Sequence, residues 1–123
     1  MNSAPRQLPE DILRLIPLTP AVFFVLFSLA DGERHGYAIM QETVKLSEGK
    51  FRMGAGTLYT TIQRLLGFSL IEESSAADND TDTRRRYYRL TGLGKSLLDL
   101  ELERMRSVLR LAAQRSLNPR TTG

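Results

Sequence analysis

Ala21-Val22-Phe23-Phe24-Val25-Leu26-Phe27-Ser28-Leu29-Ala30 limits the folding choices of this chain more than any other stretch, because only one of its side chains is polar. It is too short to span a bilayer, which takes roughly 20 residues. It also lacks the basic flank of a secretory signal, since Arg6 and Arg14 are balanced by Glu10 and Asp11. What remains is a helix buried on nearly all sides, with the other elements packed around it. Thr19 is placed to cap that helix. Pro20 suits its first position, where no N–H is needed. Asp31-Gly32 ends it.

A chain of 123 residues has room for one domain with one modest core. It has no cysteine, so neither a disulfide framework nor a thiolate metal site is available, and a cytoplasmic protein is expected. His35 is its single histidine, which restricts both metal ligation and acid–base catalysis. There is no Ser-His-acid set, phosphate loop or metal cluster, so no enzyme, cofactor or metal is expected. Asp78-Asn79-Asp80-Thr81-Asp82 begins like a calcium loop. It fails at the sixth position, where Thr83 replaces the required glycine, and at the twelfth, where Arg89 replaces glutamate.

Residues 1–18 carry Pro5, Pro9 and Pro17 and predict a loose arm, with a helical turn near Asp11–Ile16 whose apolar side chains pack on a neighbour. Tyr37, Met40 and Val44, with Ile39 beside them, place one face of a helix from about Gly36 to Leu46 against the core. His35 stands at its start as a cap or a packed side chain. A third helix begins near Ala55. Leu58, Ile62, Leu65 and Leu66 form its inner face, while Tyr59, Thr60, Gln63 and Arg64 project outward and Thr57 lies at the N-terminal edge. Leu70–Glu73 predicts a short strand, Ser74–Thr83 a polar hairpin tip, and Arg85–Thr91 a basic, aromatic return strand.

The last helix runs from Thr91 or Gly92 to about Ser116, roughly 35 Å. Leu98, Leu102, Met105, Leu109 and Ala112 recur at spacings of 4, 3, 4 and 3, the seam of a coiled coil. Leu97, Leu100, Val108 and Leu111 widen the stripe. A helix so broadly apolar buries one side in its own domain and offers the other to a second chain, so a homodimer follows. Charge is divided unevenly. Residues 1–83 hold seven Lys/Arg against eleven Asp/Glu, a balance of −4, and residues 84–123 hold ten against three, a balance of +7. Such asymmetry suits a polyanion or an oppositely charged subunit face.

A polar helix followed by a basic hairpin is the equipment of a winged helix-turn-helix. The expected fold is mainly α with a small β-hairpin. Its parts are an N-terminal arm (1–18), a winged helix-turn-helix (19–91), a long C-terminal dimerisation helix (92–117) and a tail (118–123). His35-Gly36-Tyr37, Gly56-Thr57-Leu58-Tyr59, Gln63-Arg64-Leu65, Leu70-Ile71-Glu72 and Arg86-Tyr87-Tyr88-Arg89-Leu90-Thr91 together resemble the PadR family of transcriptional regulators. A single long C-terminal helix resembles its smaller subfamily. The resemblance implies a dimeric regulator, usually a repressor, that binds double-stranded DNA and in many members is released by a small-molecule effector or another signal. It implies that Tyr37 touches the DNA backbone, that Gly56, Thr57 and Tyr59 open the recognition helix, and that Arg84, Arg85 and Arg86 form the basic wing. Two features depart from the family pattern. The wing tip is acidic, and the chain has no tryptophan to stack flat aromatic ligands.

Chemistry adds to that reading. Thr57, Tyr59 and Thr60 offer hydroxyls to phosphates or bases. Gln63 suits adenine and Arg64 suits guanine. Arg64 has two other uses, clamping a phosphate or pairing with an acid, and the wing arginines can pair with Glu72 or Glu73 across the hairpin. Phe23, Phe24, Phe27, Met105 and Leu109 either line an effector cavity or form plain core. The competing function is a winged-helix module that docks a protein instead of DNA.

Overall fold

The computed structural model describes residues 8–74 and 85–116. In chain order these form α1 (Glu10–Leu13), α2 (Pro20–Ser28), β1 (Arg34–His35), α3 (Gly36–Leu46), α4 (Ala55–Gly67), β2 (Ile71–Glu73), β3 (Tyr87–Leu90) and α5 (Gly92–Gln114). The expected wing tip at 75–83, Arg84 and the tail at 118–123 lie outside the described residues.

α2 is the hub. It packs against α3, α4 and α5, and Val25 and Leu26 have no exposed surface. Thr19 Oγ1 accepts the Val22 N–H at 3.3 Å and Pro20 occupies the first turn. At the other end Arg34 donates to the Ser28 carbonyl and to Asp31 Oδ1, and lies 3.5 Å from Glu42 Oε1. That guanidinium holds the Asp31 carboxyl below its ordinary value.

α3 follows the expected bounds, but its buried face is rotated. Ile39 and Thr43 are fully buried, whereas Tyr37 is 63% exposed. The apolar spacing points to the Tyr37, Met40 and Val44 face. The Thr43 hydroxyl accounts for the difference by donating to the Met40 carbonyl at 2.8 Å, which lets a polar residue face the core. Ser47 joins α3 to the turn that leads to α4, its hydroxyl accepting the Phe51 N–H at 3.0 Å. Gly49, at φ 79°, supplies the left-handed turn residue.

The sheet has three antiparallel strands in the order β1-β3-β2, one more than the expected hairpin. His35 pairs with Tyr87, and Glu72 with Arg89. β1 is only two residues long, too short to show an alternating pattern, so its pairing is a tertiary choice.

The first turn of α5 packs on the α4–β2 junction. Thr91 Oγ1 accepts the Gly94 N–H at 3.0 Å and donates to the Ser69 carbonyl at 2.7 Å. A Cβ on Gly94 would lie 2.0 Å from the Leu70 carbonyl oxygen, so only glycine permits this approach.

Residues 8–18 contain the expected helical turn as α1, and the segment as a whole is packed where a loose arm was expected. Ile12 is buried, and Leu8, Leu15, Ile16 and Leu18 pack against the core. Proline spacing makes the segment look open in sequence, yet its apolar side chains meet α5. The joint is Glu101, a carboxylate with no exposed surface. Glu101 Oε2 accepts the Leu18 N–H at 2.9 Å, and Arg104 Nε donates to Oε1 at 2.6 Å. The Arg104 contact holds the Glu101 carboxyl below its ordinary value, against the effect of burial.

The expected coiled-coil seam divides. Leu98 is buried in the protomer's own core and offers nothing to a second chain. Leu102 and Met105 pack partly on that core, and Ala112 is half-buried. Leu109, Val108 and Leu111 stand more than half exposed.

Two predictions follow from this packing. Gly94→Ala will lower unfolding stability by about 2–3 kcal/mol through overpacking. Gly92→Ala, which meets open space, will change it by less than about 0.5 kcal/mol. Urea titrations at one protein concentration compare them, and equal effects would dismiss the Leu70 contact. Glu101 has a depressed folded pKa, so its stabilisation is complete above its ordinary value of 4.5 and is lost as pH falls through the lower folded value. Melting temperatures between pH 7 and pH 3 will therefore fall more steeply for the native chain than for Glu101→Gln. Parallel curves would show that the carboxylate is not responsible.

Candidate nucleic-acid interface

α4 presents its outer face without obstruction. Gly56, Thr57, Tyr59, Thr60, Gln63 and Arg64 are all exposed. Helical geometry puts Gly56, Thr60 and Gln63 along the crest, with Tyr59 on one flank and Thr57 and Arg64 on the other. The inner face carries Leu58, Ile62 and Leu65 as expected, and also Thr61, whose hydroxyl donates to the Thr57 carbonyl at 2.8 Å.

The N-terminal end of α4 suits an anion. Its cap is Gly54, which supplies no side-chain acceptor, so the first-turn N–H groups face water or an incoming oxygen. A Cβ on Gly56 would meet nothing within 4 Å. The fold does not demand glycine there, and the backbone is left bare at that point. Among the described residues no carboxylate pairs with Arg64. Its guanidinium carbon lies 6.0 Å from the centroid of the Phe68 ring, a position that steadies the charge and leaves its donors outward.

A groove of about 350 Å³ runs beside α4. Met40, Leu58 and Ile62 line its floor; Tyr37 and Tyr59 stand on its sides; His35, Arg85 and Arg86 complete the rim. Tyr37 and Tyr59 are 63% and 64% exposed, unusual for large aromatic side chains. The helix-turn-helix and the base of the wing therefore meet across one concave surface.

The wing arginines have different surroundings. Arg86 Nη1 donates to Glu73 Oε2 at 2.8 Å, the cross-strand pairing anticipated from sequence, and that contact raises the arginine's pKa. Arg89 bonds Glu72 at 2.8 Å and lies 3.8 Å from Glu33. Both pairs are solvent-exposed, so each contributes little to stability. Arg85 Nη1 lies 3.5 Å from His35 Nε2.

His35 caps α3, as one of the two sequence readings held. Nδ1 accepts the Ala38 N–H at 3.2 Å. The ring also meets Tyr87 edge-on, with centroids 5.3 Å apart. That second contact depends on the β1–β3 pairing, which no local sequence signal revealed. Of the residues weighed for an effector cavity, Phe23 belongs to the core, and Phe24 stacks on Phe51 at 5.6 Å.

A family model for PadR-like transcriptional regulators matches residues 25–100, a span that runs from α2 into α5. The chain belongs to the PadR-like family of transcriptional regulators. This is a family of regulators, not of enzymes. A protein of unassigned function from Lysinibacillus sphaericus is 35% identical over 74 residues, covering 60% of this chain and 67% of that relative. A PadR family transcription regulator from Clostridium difficile has a similar fold, with a TM-score of 0.65 at 24% identity over 78% of this chain and 97% of its own. A PadR-like transcription factor from Bacteroides fragilis gives a TM-score of 0.60 at 25% identity over 86% of this chain and 98% of its own. No helix among the described residues is long and apolar enough to cross a membrane. Nor does any cluster of three or more His, Cys, Asp or Glu in those residues stand ready for a metal ion.

The open surface at Gly56 separates folding from binding in this PadR-like chain. Gly56→Ala will raise stability by about 0.5–1 kcal/mol, since alanine is the better helix former. Thermal unfolding beside duplex binding checks the pair of effects. Weaker binding by a variant that melts no lower would report contact at that backbone, and a lower melting temperature would refute the assignment of open space.

Proposed function

We propose that the chain is a sequence-specific regulator, most simply a repressor, that binds double-stranded DNA as a homodimer. The exposed crest of α4 beside the basic-rimmed groove is the observation that carries this reading. α4 enters the major groove. Gln63 and Arg64 read base edges, with Thr57, Tyr59 and Thr60 at its N-terminal end on phosphates or bases. Tyr37 and the wing arginines approach the flanking backbone. Among the described residues no carboxylate competes for Arg64, which favours its use toward a partner.

The dimer reading rests on α5. Val108, Leu109 and Leu111 expose apolar surface on a half of the helix that extends past the core. A second copy covers it, and Leu102, Met105 and Ala112 border the contact. Two-fold symmetry then gives a palindromic operator with half-sites about 34–36 Å apart. A small-molecule effector that releases the dimer fits the same scheme and has no assigned residues here.

A gel-shift titration on the DNA upstream of the protein's own coding region, beside a scrambled duplex, tests the reading. Salt-sensitive binding with at least a hundredfold preference is the expected result. Arg64→Ala will cost about 1–3 kcal/mol on the preferred site and much less on the scrambled one; an equal loss on both would make Arg64 a phosphate clamp. Leu109→Glu will convert the dimer to a monomer in light scattering and weaken DNA binding with it. A native chain that is monomeric at micromolar concentration would defeat the dimer reading.

A further inference from the structure

No Asp or Glu lies between Glu48 and Glu72, although the first 83 residues of the chain hold eleven. The charged residues of that stretch are Lys50, Arg52 and Arg64. It covers the turn after α3 and the whole of α4. Solvated surfaces ordinarily mix charges of both signs. A long run with cations alone marks a surface from which carboxylates are kept away, as contact with a polyanion requires.

The three cations have different surroundings. Lys50 Nζ lies 3.8 Å from Glu48 Oε1. Arg64 stands over the Phe68 ring. Arg52 is exposed, and among the described residues no hydrogen bond or ion pair engages it. Its position is fixed by its neighbours instead. Ser47 Oγ accepts the Phe51 N–H at 3.0 Å, and the Phe51 ring stacks on Phe24 with centroids 5.6 Å apart. On the other side Met53 packs against the core. Arg52 therefore projects to solvent from a loop pinned on both sides. The backbone that follows is bare, since a Cβ on Gly54 or Gly56 would meet nothing within 4 Å.

We infer that Arg52 holds a backbone phosphate of bound DNA at the entrance to α4, and so sets the register in which α4 sits in the major groove. The inference rests on the DNA-binding reading above. It adds a contact outside α4, Tyr37 and the wing, from a residue that belongs to neither the family motifs nor the basic hairpin. A phosphate suits the position because a guanidinium grips its oxygens bidentately. Backbone contacts of this kind fix register and orientation without reading sequence. An arginine on a pinned loop also loses less freedom on binding than one on a loose arm.

Titrations over a range of salt, on the preferred duplex and on the scrambled one, test it. Arg52→Ala is expected to weaken both by a similar factor, roughly tenfold at low salt, the scale of one hydrogen bond to a charged group. It should also lower the salt slope by about 0.9 for each bound protomer. Arg52→Lys keeps the charge and should keep the slope. Single methylphosphonate linkages placed along the preferred duplex locate the contact. At one linkage in each half-site, Arg52→Ala should bind no worse than the native chain. The variant should melt like the native chain, because the residue has no contact to lose within the fold. A slope unchanged in Arg52→Ala, a loss confined to the preferred duplex, or no linkage that silences the substitution would overturn the inference while the regulator reading stands. A lower melting temperature with an unchanged slope would assign Arg52 to the fold. A native chain that prefers no duplex would remove both readings.

Discussion

The carboxylate of Glu101 is the contact on which the arrangement of the two halves depends. It is fully buried, so it must be satisfied, and two partners satisfy it. The Leu18 N–H comes from the entry to α2, and the Arg104 guanidinium comes from the next turn of α5. A buried charge with a missing partner costs several kcal/mol. The pair therefore holds α5 at one position against the hub helix. With Gly94 pressed on the Leu70 carbonyl, α5 is held at two points about two turns apart. The rest of the helix then has one direction in which to project.

That geometry divides the chain by function. The first half of α5 completes the core with Leu97 and Leu98. Its second half extends past the core and carries the apolar surface we assign to a second copy. In the dimer we propose, that surface would set the distance between the two α4 helices, and the contacts that anchor α5 would then bear on the spacing of DNA half-sites. The reading surface itself is local. Gly54, Gly56 and the exposed side chains of α4 meet the base of the wing across one groove, with His35 at the junction.

Polar residues at the ends of elements do much of the positioning. Thr19, His35 and Thr91 each accept an N–H in the first turn of a helix. Two of the three have a second task. Thr91 ties α5 to the end of α4 through the Ser69 carbonyl, and His35 reaches the wing. Arg34 likewise joins the end of α2 to α3 by way of Ser28 and Glu42. Ion pairs on the open face of the sheet, by contrast, are exposed and weak; they order side chains without setting the fold.

Local signals in the sequence determined the helices and most of the reading surface. The apolar run predicted a buried α2. The 3.6-residue period of Leu58, Ile62 and Leu65 oriented α4, and therefore exposed Thr60, Gln63 and Arg64. Thr19 marked where α2 begins, and His35 was a candidate cap for α3. The motifs from His35 to Thr91 were specific enough to indicate the family. Tertiary structure decided what periodicity leaves ambiguous. It turned Tyr37 outward because Thr43 could satisfy its hydroxyl within α3. It added β1, since two residues pair only when β3 is already beside them. It drew residues 8–18 into the core because Glu101 needs the Leu18 N–H, and it took Leu98 out of the surface that a second chain could cover. In each case the deciding partner is distant in sequence or the choice depends on burial, and neither is carried by a local pattern.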